Sequence, residues 1–339
     1  MSETSNTPYP DLYRTMRRIR SFEERVGELF VRGESAGSML HLSIGEEGAA
    51  AGVGLAMRDG DSFTTHHRGH GIFLARGADP NRMMAEIAGK DSGYCAGKGG
   101  SMHIADMTLG HLGANAIVGG GIPTVVGAGL SYKIRKTGAV SVAFFGDGAM
   151  QQGILYESMN MAALWDLPVL FCCVNNQYGM GTRIDQATRS TDFAARAKAF
   201  GLEAMMVDGD DVGDVHRAAS DLLELARGGK PGFLSVSCYR FFGHARMDKS
   251  PYRSADEEDT GRKRDPLART RQTLIEAGTD EDTLDSLDGD IAKEMDAAID
   301  FAVAAARPDA NALFRHVFHA DSPAPEPQAN RLDRIFANE

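Results

Sequence analysis

Cysteine is scarce in this chain of 339 residues: four in all, Cys95, Cys172, Cys173 and Cys238. Two of them are adjacent within an apolar run, so the set offers neither a disulfide framework nor a zinc-ligand spacing. Basic residues are in deficit as well, 36 Lys and Arg against 47 Asp and Glu, for a formal net charge of −11. That sign argues against nucleic acid and against an anionic membrane surface, since both attract basic patches. The short runs RKTG and GRKRD read as solvated surface. No stretch approaches the roughly 18 consecutive apolar residues of a membrane span, and the polar N-terminus lacks the apolar centre of a secretory signal. No repeat recurs at a fixed period. A protein of a reducing compartment is expected, cytoplasmic for a prokaryotic source; a mature mitochondrial protein would read the same way.

What the chain does have is 42% hydrophobic residues, enough for a sizeable core, arranged as alternating strand and helix patterns that predict an α/β domain. The most telling stretch begins with two bounded apolar runs, 140–145 and 169–174, the first ending in Gly146-Asp147-Gly148 and the second in Asn175-Asn176. Between them, 152–165 has helical spacing of Ile154, Leu155, Met159, Ala162 and Ala163. About 14 helical residues at about 1.5 Å each run back about 21 Å, and a strand of about six residues at about 3.3 Å returns nearly as far. A right-handed crossover therefore makes the strands parallel and brings Asp147 and Asn176 to one level, at the carboxyl edge where open α/β sheets bind ligands.

The chemistry of that edge suits magnesium with a diphosphate. Magnesium takes hard oxygen ligands, a carboxylate or two together with substrate phosphates. Asp147 offers a carboxylate, Asn176 an amide oxygen, and a turn carbonyl at Tyr178 a third donor. The small residues Gly148 and Ala149 let backbone amides approach phosphate oxygens. Taken alone, GDG is an ordinary turn; its pairing with NN across a strand, helix and strand gives it weight. Arg68 in HHRGHG follows an apparent strand end, where its guanidinium can make bidentate bonds to a diphosphate. His244 lies among charged and turn-forming residues, a place for a histidine of near-neutral pKa to handle protons.

Along the rest of the chain, 1–9 reads as an arm, 10–263 as the α/β domain, and 264–339 as a helical extension with an extended tail, SPAPEPQAN. Helices are expected over 11–33, where Leu12, Met16, Ile19, Phe22, Val26 and Leu29 form one stripe, and over 46–57, 80–89 and 212–227. Further strands are expected over 205–208 and 233–238. Residues 64–71 read as a loop, 256–265 as a mobile charged loop, and glycine-dense 92–123 as a lining of the site.

SFEERVGELF, HLSIGEEGAAAGVG, HHRGHG, GKGGSMHIAD, GANAIVGGGIP, FFGDGAMQQG, NNQYGMGTR and YRFFGHARMDKSPYR together resemble the alpha subunit of the thiamine diphosphate-dependent first component of 2-oxo acid dehydrogenase complexes, or of the related acetoin dehydrogenases. The resemblance implies a thiamine diphosphate-binding fold with a mostly parallel central sheet flanked by helices. It implies thiamine diphosphate and Mg2+ as cofactors, with Asp147, Asn176 and Tyr178 on the metal. His67, Arg68, Ala116, Val118, Gly148, Ala149 and His244 would contact the organic cofactor, and His244 would assist acyl handling. It further implies a small carbonyl substrate, either a 2-oxo acid that loses carbon dioxide or acetoin that is cleaved. Its partners would be a lipoyl-bearing acyltransferase and a separate beta subunit in an α₂β₂ heterotetramer.

The chain departs from that pattern in places. His67 stands for a usual tyrosine, Ala116 for a glycine, Met150-Gln151 for a small residue and an asparagine, Val174 for a glutamate, Phe242 for a histidine, and Ala245 for a serine that is phosphorylated in some relatives. Two other readings stay open: a split transketolase-like enzyme, and a paralogue that only binds a partner.

Overall fold

The computed structural model describes residues 7–37, 39–315 and 317; residues 1–6 and the SPAPEPQAN segment lie outside them. In chain order the elements are helices α1 (Tyr9–Val31) and α2 (Glu47–Ala56), strand β1 (Ser62–Thr65), helices α3 (His70–Ala75) and α4 (Pro80–Ile87), strand β2 (His111–Ala114), helix α5 (Ile122–Arg135), strand β3 (Ser141–Gly146), helix α6 (Gly153–Leu164) and strand β4 (Val169–Asn175). There follow a hairpin of β5 (Tyr178–Gly179) and β6 (Thr182–Arg183), helices α7 (Ile184–Ala187) and α8 (Phe193–Lys198), strand β7 (Glu203–Asp208), helix α9 (Val212–Arg227), strand β8 (Gly232–Ser237), and helices α10 (Ala255–Arg262), α11 (Pro266–Glu276) and α12 (Glu281–Ala304).

Six strands form one parallel sheet in the order β2-β1-β3-β4-β8-β7. Helices cover both faces, as such sheets require. Every residue of β4 is buried, in keeping with its apolar run from Val169 to Val174. The pairing of β3 with β4 sets Gly146 opposite Val174, and that of β4 with β8 sets Asn175 opposite Ser237. The ends of three neighbouring strands therefore lie level, as the length argument expects. Among the described residues no helix is long and apolar enough to cross a membrane.

Helix α1 buries the expected stripe: Leu12, Met16, Ile19, Phe22, Val26 and Leu29 are all inaccessible to solvent. Each such side chain contributes about 1.5–3 kcal/mol relative to exposure. Its polar face is tied to α12, through the Tyr13 hydroxyl to Asp288 (3.0 Å), Arg18 to Glu294 (2.7 Å) and Arg25 to Asp296 (2.7 Å). Arg20, pointing inward, holds the fully buried Glu47 and, from its other side, Asp265.

Three expectations are corrected. Residues 64–71 do not form one loop, because β1 runs to Thr65 and α3 begins at His70. The charged segment 256–265 is largely helical. Ser254 caps α10 by accepting from the Glu257 amide at 3.1 Å, the acidic first turn Asp256, Glu257 and Glu258 faces the positive end of the helix dipole, and Arg262 sits in the last turn. Charge placed to suit the dipole favours a helix. Ser254→Ala is expected to cost about 1 kcal/mol, seen as faster amide exchange in α10 with the rest of the chain unchanged.

The third correction concerns 92–123, of which only 115–119 reaches the cavity at the carboxyl edge of the sheet. Residues 93–100 instead wrap the buried Glu86, whose two carboxylate oxygens accept from the amides of Cys95 (2.8 Å), Gly97 (2.9 Å), Gly99 (2.7 Å) and Gly100 (3.0 Å). Gly97 has φ +74°, and a Cβ added there would meet the Gly89 carbonyl carbon at 2.6 Å. The glycines are needed so that the loop can fold closely around one carboxylate.

Candidate active site

Side chains that follow the carboxyl ends of five strands converge on a cavity of about 350 Å³. His66, His67 and Arg68 come from the end of β1, Asn115, Ala116 and Val118 from β2, Asp147, Gly148 and Ala149 from β3, Asn176 and Tyr178 from β4, and Arg240 and His244 from β8. The structure brings together all ten residues singled out in the sequence as metal or cofactor contacts.

Asp147 opens the short 3-10 turn Asp147–Gln151 that leads into α6. It is 1% exposed, and its Oδ2 has no hydrogen-bond partner among the described residues. Burial pushes its carboxyl up to about 7; the nearby charge of Glu46 adds to the shift, and the amides of Asp147 and Gly148 oppose part of it. An orphaned, desolvated carboxylate oxygen costs free energy unless something binds it. A hard divalent cation would satisfy it, so the donor set fits magnesium.

Asn176 is fixed on both sides. Its Nδ2 donates to Glu46 at 2.7 Å and its Oδ1 accepts from the Tyr178 amide at 3.1 Å, across a bend in which Gln177 takes φ +69°. The Tyr178 hydroxyl turns away to the Glu257 carboxylate at 2.8 Å, leaving the backbone of Tyr178 as the part available to a ligand. Met150 points into the apolar core, while Gln151 lines the cavity. The Met150-Gln151 departure therefore puts only one new side chain at the site.

Arg68 differs from its expected role in detail. It is 3% exposed, its Nη1 donates to the Leu42 carbonyl (2.7 Å), its Nη2 to the His244 carbonyl (3.0 Å), and its Nε lies 3.7 Å from Glu46. It braces three loops and brings positive charge to the wall, with one hydrogen on each outer nitrogen already engaged. A second cation, Arg240, stands on the same wall. Burial and the neighbouring Arg68 lower it to about 10, so it stays charged at neutral pH. Two guanidinium groups beside a carboxylate that invites a metal suit a diphosphate.

His244 is anchored, its amide donating to Asp248 at 2.8 Å. Burial, then the charges of Arg68 and Arg240, hold its imidazole down to about 4, and the same kind of environment holds His41 and His66 to about 3 and depresses His67. The expected near-neutral pKa is thus replaced by a neutral ring, able to donate from one nitrogen and accept at the other.

Sequence reasoning missed Arg240, His41 and Glu46 as parts of this site. Arg240 carried a signal, a basic residue just beyond an apolar strand in YRFFGH. Glu46 carried none, because its partner Asn176 lies 130 positions away.

Fold and site together define a parallel α/β protein with a built ligand cavity at the carboxyl edge of its sheet. The family model described as the dehydrogenase E1 component matches residues 14–311, and the chain belongs to that family. It is 43% identical over 310 residues to the alpha subunit of acetoin:2,6-dichlorophenolindophenol oxidoreductase of Cupriavidus necator, covering 91% of this chain and 93% of that one. It is 41% identical over 309 residues to the protein of the same name from Bacillus subtilis, covering 91% and 92%. With the pyruvate dehydrogenase E1 component subunit alpha of Zymomonas mobilis it shares 42% over 310 residues, covering 91% and 87%. The resemblance to first-component alpha subunits is borne out on both its acetoin and its pyruvate side.

Proposed function

We propose that this chain is the alpha subunit of a thiamine diphosphate-dependent dehydrogenase that acts on acetoin or a 2-oxo acid and passes the acyl group to a lipoyl acceptor. The observation that carries this reading is the unpartnered Asp147 oxygen, level with Asn176 and facing a cavity walled by Arg68 and Arg240. Asp147, Asn176 and the backbone at Tyr178 would hold Mg2+, with the two arginines balancing diphosphate charge. When bound, thiamine diphosphate supplies a nucleophilic carbon and an electron sink for the substrate carbonyl carbon. The protein's own part is to position and to exclude water. The Asp147–Gln151 turn presents backbone and Gln151 to the cavity, Val118 forms an apolar wall, and neutral His67 and His244 offer hydrogen bonds without adding a charge.

The cavity is open at exposed Ile117 and Val118, which are 73% and 55% accessible in the single chain. This supports the need for a beta subunit that closes the site in an α₂β₂ assembly. The test is dye reduction by copurified alpha and beta chains with thiamine diphosphate and Mg2+, across acetoin, pyruvate and branched-chain 2-oxo acids. Strong turnover of one substrate by the pair and none by the alpha chain alone is expected. Substantial turnover by alpha chain alone, or transfer between sugar phosphates in place of dye reduction, would sink the reading.

A further inference from the structure

One carboxylate sits on the apolar face of α1, away from the cavity. Glu23 follows Phe22 in the stripe, is inaccessible to solvent and does not line the cavity. Its Oε1 accepts from the Ser43 amide at 3.1 Å and from the Ser43 hydroxyl at 2.6 Å, and its Oε2 accepts from Nδ1 of the buried His70 at 3.3 Å. The far nitrogen of that ring meets the Ser101 hydroxyl at 2.9 Å. Gly71 lets these segments close up, since a Cβ there would lie 2.9 Å from Ile19 and 3.2 Å from the Ser43 hydroxyl oxygen. Burial alone would raise the Glu23 carboxyl, but the His70 ring and the Ser43 bonds hold it below its ordinary value, so it is an anion at neutral pH. Stability does not account for a charge in this position, because a buried ion pair is often no better than apolar side chains of similar volume.

We propose that Glu23 is a positioning residue for the anion-binding wall of the cavity, acting through Arg68, an inference that rests on reading that wall as a diphosphate site. Ser43 follows Leu42, whose carbonyl takes the Arg68 Nη1 at 2.7 Å, and His70 lies two residues beyond Arg68 itself. One carboxylate therefore ties the segment that carries the guanidinium to the segment that holds it. Its charge acts in the same direction. Burial lowers the pKa of Arg68, and Glu46 and then Glu23 oppose that shift, keeping the guanidinium cationic. The hydrogens left free on the outer nitrogens of Arg68 can serve two phosphate oxygens only while the fork is held in a fixed place. Glu23 supplies that seat from behind, without touching the ligand.

The test is calorimetric titration of the copurified alpha and beta pair with two probes, thiamine diphosphate and inorganic diphosphate, each with Mg2+. Glu23→Gln, which keeps the size and loses the charge, should raise Kd for both by about tenfold, the low end of what loss of an outer partner costs at metal sites. The stoichiometry should not change. Ser43→Ala, a milder variant, should weaken both probes less. In an Arg68→Lys background, where the charge remains and the fork is gone, Glu23→Gln should cost less than about twofold, the scatter of independent sites. A merely structural carboxylate would instead lower occupancy at constant Kd, or cost the same in either background. An unchanged Kd in both Glu23→Gln and Ser43→Ala, or the full loss in the Arg68→Lys background, would overturn the proposal. Binding of inorganic diphosphate that Glu23→Gln weakens, with thiamine diphosphate ignored, would uphold it and sink the proposed function. No binding of either probe by the original pair would overturn both.

Discussion

Asp147→Asn should abolish cofactor-dependent turnover while leaving the cofactor-free chain at least as stable as before. These two effects pull apart because the carboxylate is costly until it is bound. In the folded chain Asp147 sits at about 7, raised by burial, against about 3.9 in an unfolded chain. Between those values, rising pH takes the proton from the unfolded chain but not from the folded one. The group therefore erodes stability by up to roughly 1.4 kcal/mol per pH unit through that window, and the loss is complete above about pH 7. Asparagine has no such slope. A bound divalent ion reverses the balance, since it pairs with the anion and releases the proton. Melting curves at pH 6 and pH 8, with and without Mg2+ and thiamine diphosphate, check this. The original chain should gain more from the ligands at pH 8 than at pH 6, up to about 4 kcal/mol at a thousandfold excess over Kd. The variant should gain little at either pH. A variant that kept the full gain would remove Asp147 from the metal site.

The second large effect is expected far from the metal. Glu86→Ala removes the acceptor for four backbone amides at once. With about 1–3 kcal/mol for each donor left unpaired, even the low end sums to about 4 kcal/mol. At roughly 2–4 °C per kcal/mol for a large domain, Tm should fall by about ten degrees. Glu86→Gln keeps one oxygen for one pair of amides and turns its NH2 toward the other, so an intermediate fall is expected. Limited proteolysis should cut first within residues 92–100 in both variants. If Glu86→Ala melted within about two degrees of the original chain, the four bonds would have no net worth, contrary to the usual cost of orphaned amides.

The legible parts of this molecule share a cause. The β3–α6–β4 unit could be read because strand and helix periods are local and because Asp147 and Asn176 directly follow apolar runs. Local pattern likewise gives α9 at its observed bounds. The parts that were not legible depend on distant pairings. Glu46 reaches Asn176, Arg68 spends its donors on carbonyls of Leu42 and His244, and His41 meets His244 across some two hundred positions. No window of sequence contains both members of such a pair. The charged helix α10 is a different case: the Ser254 to Glu257 spacing of a capping box was present in the letters, but the density of charge around it reads first as solvent-exposed loop. The glycines at 97–100 were read as ligand-facing because nothing local shows that their amides turn toward one inward carboxylate.

The ties between α1 and α12 also bear on how the chain is made. α1 emerges from the ribosome well before α12, and its hydroxyl and arginine contacts with Asp288, Glu294 and Asp296 wait for residues synthesised some 260 or more positions later. At about 5–20 residues per second that interval lasts tens of seconds. During it, α2 and α3 can cover part of the apolar stripe, but the polar face of α1 has no final partner. The nascent chain must therefore hold α1 only half housed while the residues between the two helices are made, and α12 acts as a latch that closes once it has left the ribosome.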